Sequence, residues 1–76
     1  QYYVQVGAFR SAEEAEALRA KLSLAGYDPK VSMREVAGRQ LHRVRIGPID
    51  SKTQAEEVQQ KLNASKMASA LVRVQR

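Results

Sequence analysis

The strongest constraint on this chain is that it states one pattern twice, forty residues apart. Residues 4–22 align without a gap on residues 44–62, and seven of the nineteen positions are identical: Val4/Val44, Gly7/Gly47, Ser11/Ser51, Ala15/Ala55, Glu16/Glu56, Lys21/Lys61 and Leu22/Leu62. Unrelated stretches of this composition share about one or two, so the match is an internal repeat. Val6/Ile46, Phe9/Ile49 and Leu18/Val58 are conservative pairs. Each copy reads as a strand, a glycine turn and a helix.

Residues 2–6 alternate and are β-rich, which predicts a first strand with Val4 and Val6 on one face and Tyr3 and Gln5 on the other. Gly7 is read as its exit. Ser11 with Glu14, and Ser51 with Gln54, have the spacing of capping boxes, in which hydroxyl and N3 side chain satisfy early helix amides. Ala15, Leu18, Leu22 and Ala25 form the apolar stripe of the first helix, and Ala55, Val58 and Leu62 that of the second. Gly26 is a candidate left-handed stop, with Pro29 beyond it. Residues 30–36 alternate Val31 and Met33 against Ser32 and Arg34, Gly38 turns a hairpin, and residues 40–46 place Val44 and Ile46 inward with Leu41, Arg43 and Arg45 outward. Gly47-Pro48 is read as the end of that strand. Residues 70–74 form the last, with Val72 and Val74 inward and Leu71 and Arg73 outward.

The expected order is therefore βαββαβ, an α+β fold. Because each βα unit needs another strand beside its first, the halves interleave into a four-stranded antiparallel sheet with both helices on one face. The opposite face stays open and carries Tyr3, Gln5, Leu41, Arg43, Arg45, Leu71 and Arg73. At 76 residues the whole chain, 1–76, reads as one domain with a thin core.

Net charge is +5, pointing to an anionic or polyhydroxylated partner. Arg34, Arg39, Arg43 and Arg45 fall in a stretch whose only acid is Glu35, whereas Glu13, Glu14, Glu16, Glu56 and Glu57 sit in the helical stretches, so the sheet is basic and the helix layer more acidic. Cysteine is absent, which removes disulfide and thiolate-metal chemistry. No apolar run approaches the roughly 20 residues of a membrane span and no signal-peptide pattern is present. The chain reads as an excised domain whose parent carries any targeting or anchoring segment.

Val4-Gln5-Val6-Gly7-Ala8-Phe9, the helix start Ser11-Ala12-Glu13-Glu14-Ala15, and His42-Arg43-Val44-Arg45-Ile46-Gly47-Pro48 together resemble a SPOR domain (the sporulation-related repeat), most of all that of FtsN-type cell-division proteins. The resemblance covers residues 2–74. It implies a bacterial envelope or periplasmic domain that binds peptidoglycan glycan strands lacking stem peptides, at the division septum. It implies no cofactor and no catalysis, and the domain is expected to be monomeric. Gln5 stands at the family's polar glycan-contacting position and Arg43 at its arginine. Ala8 stands where many members have serine, and Leu41 where some have tryptophan, so hydroxyl and ring contacts are replaced by shape and apolar contact. Leu71 matches an apolar position of the last strand, and Arg45 joins the same face.

The chemistry is consistent with that implication. Stripped glycan alternates N-acetylglucosamine with N-acetylmuramic acid, whose lactyl group ends in a free carboxylate. A guanidinium binds a carboxylate with two charge-assisted hydrogen bonds, and an amide both donates to and accepts from sugar groups. Against this, Gln5, Arg45 and Tyr3 can also be read as plain sheet-face residues. The adjacent acids Glu13-Glu14 and Glu56-Glu57 do not face each other as a catalytic pair must. His42, the only histidine, alternates toward the helix side and reads as structural. The competing class is an RNA-binding RRM-like module using the same basic open sheet. That module stacks bases on aromatic residues of its central strands, and here Tyr3 alone stands there, so nucleic acid is not the expected partner.

Overall fold

In the computed structural model, which describes residues 1–74, the elements run β1 (Tyr2–Phe9), α1 (Ala12–Leu24), β2 (Pro29–Val36), β3 (Arg39–Ile49), α2 (Lys52–Ala64) and β4 (Ala70–Arg73). Residues 75–76, included in the expected domain, lie outside the described residues. The four strands form one antiparallel sheet in the order β2-β3-β1-β4. The opening strands of the two repeats, β1 and β3, are thus central neighbours, and β2 and β4 are the edges. No described helix is long and apolar enough to cross a membrane.

The repeat is visible in how the helices begin and end. The Ser11 hydroxyl accepts from the Glu14 N–H at 3.4 Å, and the Ser51 hydroxyl from the Gln54 N–H at 3.3 Å, caps worth about 1 kcal/mol each. The reciprocal half of the expected capping box is not formed: Glu14 and Gln54 make no side-chain bond back to the cap. At the far ends, Gly26 (φ 96°) and Lys66 (φ 63°) turn the chain left-handed. Tyr27 N–H then reaches back to the Leu22 carbonyl at 3.1 Å, and Met67 N–H to the Leu62 carbonyl at 2.9 Å, satisfying carbonyls the helix leaves open.

Both helices bury their stripes against the same face of the sheet. Ala15 and Leu22 of α1, Ala55 and Leu62 of α2, and Val4, Val44 and Ile46 of the central strands form one buried cluster. Leu18, Val58, Val6, Tyr2, Phe9 and Ile49 pack on its rim. The paired alanines let each helix approach the sheet closely, which brings the leucine one helical turn-pair later into the centre.

Three expectations are corrected. First, β1 does not leave the sheet at Gly7, nor β3 at Gly47. Each strand continues past its glycine through an irregularity: the pairing Gln5↔Arg45 is followed by Gly7↔Val44, and Val4↔Ile46 is preceded by Tyr2↔Ile49. The extra residue at Val6 is a bulge that resets the alternation, so Gly7 and Phe9 face the helices and Ala8 faces out. Gly47 has φ 147°, and a side chain there would meet the Tyr3 ring at 2.8 Å and the Tyr2 carbonyl at 2.9 Å, so glycine is required. Second, the hairpin needs two left-handed residues, Ala37 (φ 52°) and Gly38 (φ 77°), rather than glycine alone. Third, β4 sits in the opposite phase. Val4, wholly buried, pairs with Leu71, and Tyr3 pairs with Val72. Leu71 therefore packs against the core, Arg73 shares its face with Tyr2, and Val72 is the residue that looks outward.

Candidate functional site

The uncovered face of the sheet is built by strand alternation, reset in β1 by the bulge at Val6. Across it, Ala8 pairs with Arg43, which pairs with Ser32; Gln5 pairs with Arg45, which pairs with Lys30; Leu41 pairs with Arg34, and Arg39 with Val36. Strands about 4.8 Å apart make each of these rows a set of touching neighbours. Gln5, Ala8, Leu41, Arg43 and Arg45 thus share one surface as expected, while Leu71 leaves it and Val72 takes its place beside Tyr3.

The face is graded in charge. Its β2–β3 half holds Lys30, Arg34, Arg39, Arg43 and Arg45, and no carboxylate shares that surface, since Glu35 alternates to the helix side. Its β1–β4 half holds Tyr3, Gln5, Ala8, Ala70 and Val72 and is neutral. The single ion pair among the described residues, Arg19 with Glu16, lies on α1, so the five cations of this face are without carboxylate partners.

Arg43 occupies the middle of this surface and is half-buried. Burial first, and then the charges of Arg45 and Arg34, draw its guanidinium below the ordinary pKa, though arginine stays charged throughout the working pH range. Its Nε is buried without a hydrogen-bond partner, and so is Oγ of Ser32, its cross-strand neighbour. Two orphaned polar atoms in one row are an unusual concentration for so small a domain. The Arg45 guanidinium lies over the Tyr3 ring, 4.6 Å from its centroid, a cation–π contact that orders the arginine and covers the aromatic face.

Sequence reasoning missed Lys30, Ser32, Arg34, Arg39 and Val72 as members of the surface. The alternation of Ser32 and Arg34 against Val31 and Met33 carried the signal for β2; for Val72 there was none, because the last strand offers two adjacent apolar residues. His42 lies on the helix side between Phe9 and Met33. Among the described residues no three His, Cys, Asp or Glu side chains cluster as metal ligands would. The surface can hold anions and hydroxyl-rich groups; it assembles no nucleophile, base and orienter.

A family model described as SPOR domain matches residues 1–73. The endolytic peptidoglycan transglycosylase RlpA of Pseudomonas aeruginosa, in strains UCBPP-PA14 and PAO1, is 40% identical over 66 residues. That alignment takes in 86% of this chain but 19% of the relative, so the chain spans about a fifth of the length of the curated proteins it matches. The crystal structure of the RlpA SPOR domain from Pseudomonas aeruginosa superposes with a TM-score of 0.85 at 36% identity, covering 97% of this chain and 100% of that one. The solution structure of the peptidoglycan binding domain of the B. subtilis cell wall lytic enzyme CwlC gives 0.76 at 27% identity, covering 93% and 85%.

Proposed function

The chain belongs to the SPOR domain family, and from that premise we propose that it is a non-catalytic binding module for peptidoglycan. In this reading it takes glycan strands that lack stem peptides and delivers a parent protein of the cell envelope to the division septum. The observation that carries it is the acid-free basic surface centred on Arg43. A lactyl carboxylate laid on the Ala8–Arg43–Ser32 row would receive charge-assisted hydrogen bonds from the outer nitrogens of the guanidinium. Ala8, with no more than a methyl group, leaves room for it. Arg45 and Arg34 add attraction from either side, Gln5 offers donor and acceptor to an acetamido or hydroxyl group, and Leu41 gives apolar contact. An attached stem peptide removes the carboxylate charge and brings bulk onto the sheet, so selection for stripped strands needs no chemistry. The relatives' names support the ligand class: one is a peptidoglycan transglycosylase and the other a peptidoglycan binding domain.

RNA binding loses its footing on the same surface. The one aromatic ring of the described open face, Tyr3, lies under Arg45 and is not free to stack a base. The deciding experiment is sedimentation of the isolated domain with purified sacculi before and after amidase treatment. The bound fraction should rise when stem peptides are removed. Equal binding to both would abolish the claimed selectivity, and no binding to either would abolish the function.

A further inference from the structure

Glu56, Gln59, Gln60 and Asn63 form one stripe of α2. Together with Met67 and Ser69, in the segment leading to β4, they line a groove of about 400 Å³. The Gln59 side-chain amide donates to the Ser69 carbonyl at 3.5 Å, tying one wall to the other.

The internal repeat supplies a comparison within the same molecule. Subtracting forty places Glu16, Arg19, Ser23, Tyr27 and Pro29 at the matching positions of the first half. There Arg19 Nε donates to Glu16 Oε1 at 2.8 Å, and the stripe is closed on itself by an ion pair. In the second half an amide replaces the cation, a serine replaces the buried proline, and Glu56 has no ion-pair partner among the described residues. The fold therefore tolerates a closed stripe, and the second half leaves it open.

The lining defines the ligand. Three primary amides and a hydroxyl both donate and accept, which suits hydroxyl and acetamido groups. Met67 offers a soft apolar floor for a methyl group. The only charge is the carboxylate of Glu56, which disfavours an anion. The groove also meets the sheet: Ala68 and Ser69 line it and line a second depression formed with Gln5, Val6, Gly7 and Ala70. From Arg45 the surface continues over Gln5 and the neutral half to residues 68–69, and so to the groove.

Resting on the glycan reading above, we propose that this groove is a second subsite, taking a neutral N-acetylated sugar from a strand whose carboxylated sugars lie on the Arg43 side. The groove then contributes only to strands long enough to span both.

The test is Gln59→Arg, which recreates across Glu56 the pair found in the first half, with Asn63→Lys obstructing the groove from its other end as an independent variant. Each is checked for folding by circular dichroism and titrated with a stripped disaccharide bearing the free carboxylate and with a long stripped strand. The expected result is unchanged disaccharide affinity and a loss of about tenfold for the long strand, the worth of one or two neutral hydrogen bonds. Amide shifts on adding the long strand to wild type should include residues 59–69. If both folded variants bind the long strand as tightly as wild type while Arg43→Ala does not, the subsite is overturned and the sheet-face reading stands. If wild type binds neither probe, the glycan reading itself falls.

Discussion

Arg43→Leu separates what this surface does from what holds the domain together. In the free protein Arg43 Nε is buried without a partner, and the guanidinium is pressed by burial and by two neighbouring arginines. Leucine keeps most of the apolar stem that lies along the sheet, removes the orphaned donor and deletes one of several like charges. An unsatisfied buried group costs about 1–3 kcal/mol; because Arg43 is only half-buried, the lower end applies. The variant should therefore be about 1 kcal/mol more stable than wild type, which raises the Tm of a domain this size by about 4–8 °C. Affinity should move the other way. A hydrogen bond to a charged partner is worth about 1.5–3 kcal/mol, so stripped glycan should bind roughly 10- to 150-fold more weakly. Arg43→Lys should fall between, since an ammonium keeps the charge but not the two-pronged geometry. Added salt should weaken wild type more than Arg43→Leu. Thermal melts and titrations at two salt concentrations measure all of this. A destabilised Arg43→Leu would mean that the guanidinium is supporting the fold, and a stable variant with full affinity would mean that the carboxylate is read elsewhere.

Two further outcomes follow from the repeat. Leu22→Ala and Leu62→Ala, at matching and almost wholly buried positions, should each cost about 2–4 kcal/mol and shift the urea midpoint by similar amounts; an unmoved midpoint for either would contradict the shared core. Lys66→Gly should gain about 0.5–1 kcal/mol in chemical denaturation, since Lys66 holds the left-handed turn that Gly26 makes at the end of the other helix, and a loss would show the lysine side chain to be worth more than the strain.

The parts legible in the sequence were those fixed by local periodicity or by the repeat: the element order, both serine caps, the helix stripes except Ala25, which is the exposed C-cap of α1, the Gly26 stop and the outward set of the third strand. The rest depended on pairing. Residues 70–74 read Ala-Leu-Val-Arg-Val, and two adjacent apolar residues fit either phase of a strand equally well. Only the partner decides, and β1 sets Leu71 against buried Val4. The bulge at Val6 was equally silent, because a sequence does not record which residue is skipped by a ladder. Its effect reached the site: without that skip Ala8 would point at the helices and Arg43 would have a different neighbour. The β2 contribution to the surface was readable in its alternation, but its energetic meaning, two polar atoms buried without partners, exists only once Ser32 and Arg43 lie side by side.

The ladder that joins β4 to β1 also governs how the domain carries load. Val74 N–H donates to the Gln1 carbonyl at 3.0 Å, so the two ends of the described chain leave from the same corner. A pull entering at residue 1 runs along β1, a central strand bonded on both sides, and must shear it past β3. A pull entering at residue 74 acts on β4, a four-residue edge strand bonded on one side only, so a shorter ladder carries it. With a ligand gripped by β1 and β3, a tether on the amino side draws in line with the grip, whereas a tether on the carboxyl side draws through the weakest seam in the sheet. The two points of attachment therefore load ladders of different length in the same sheet.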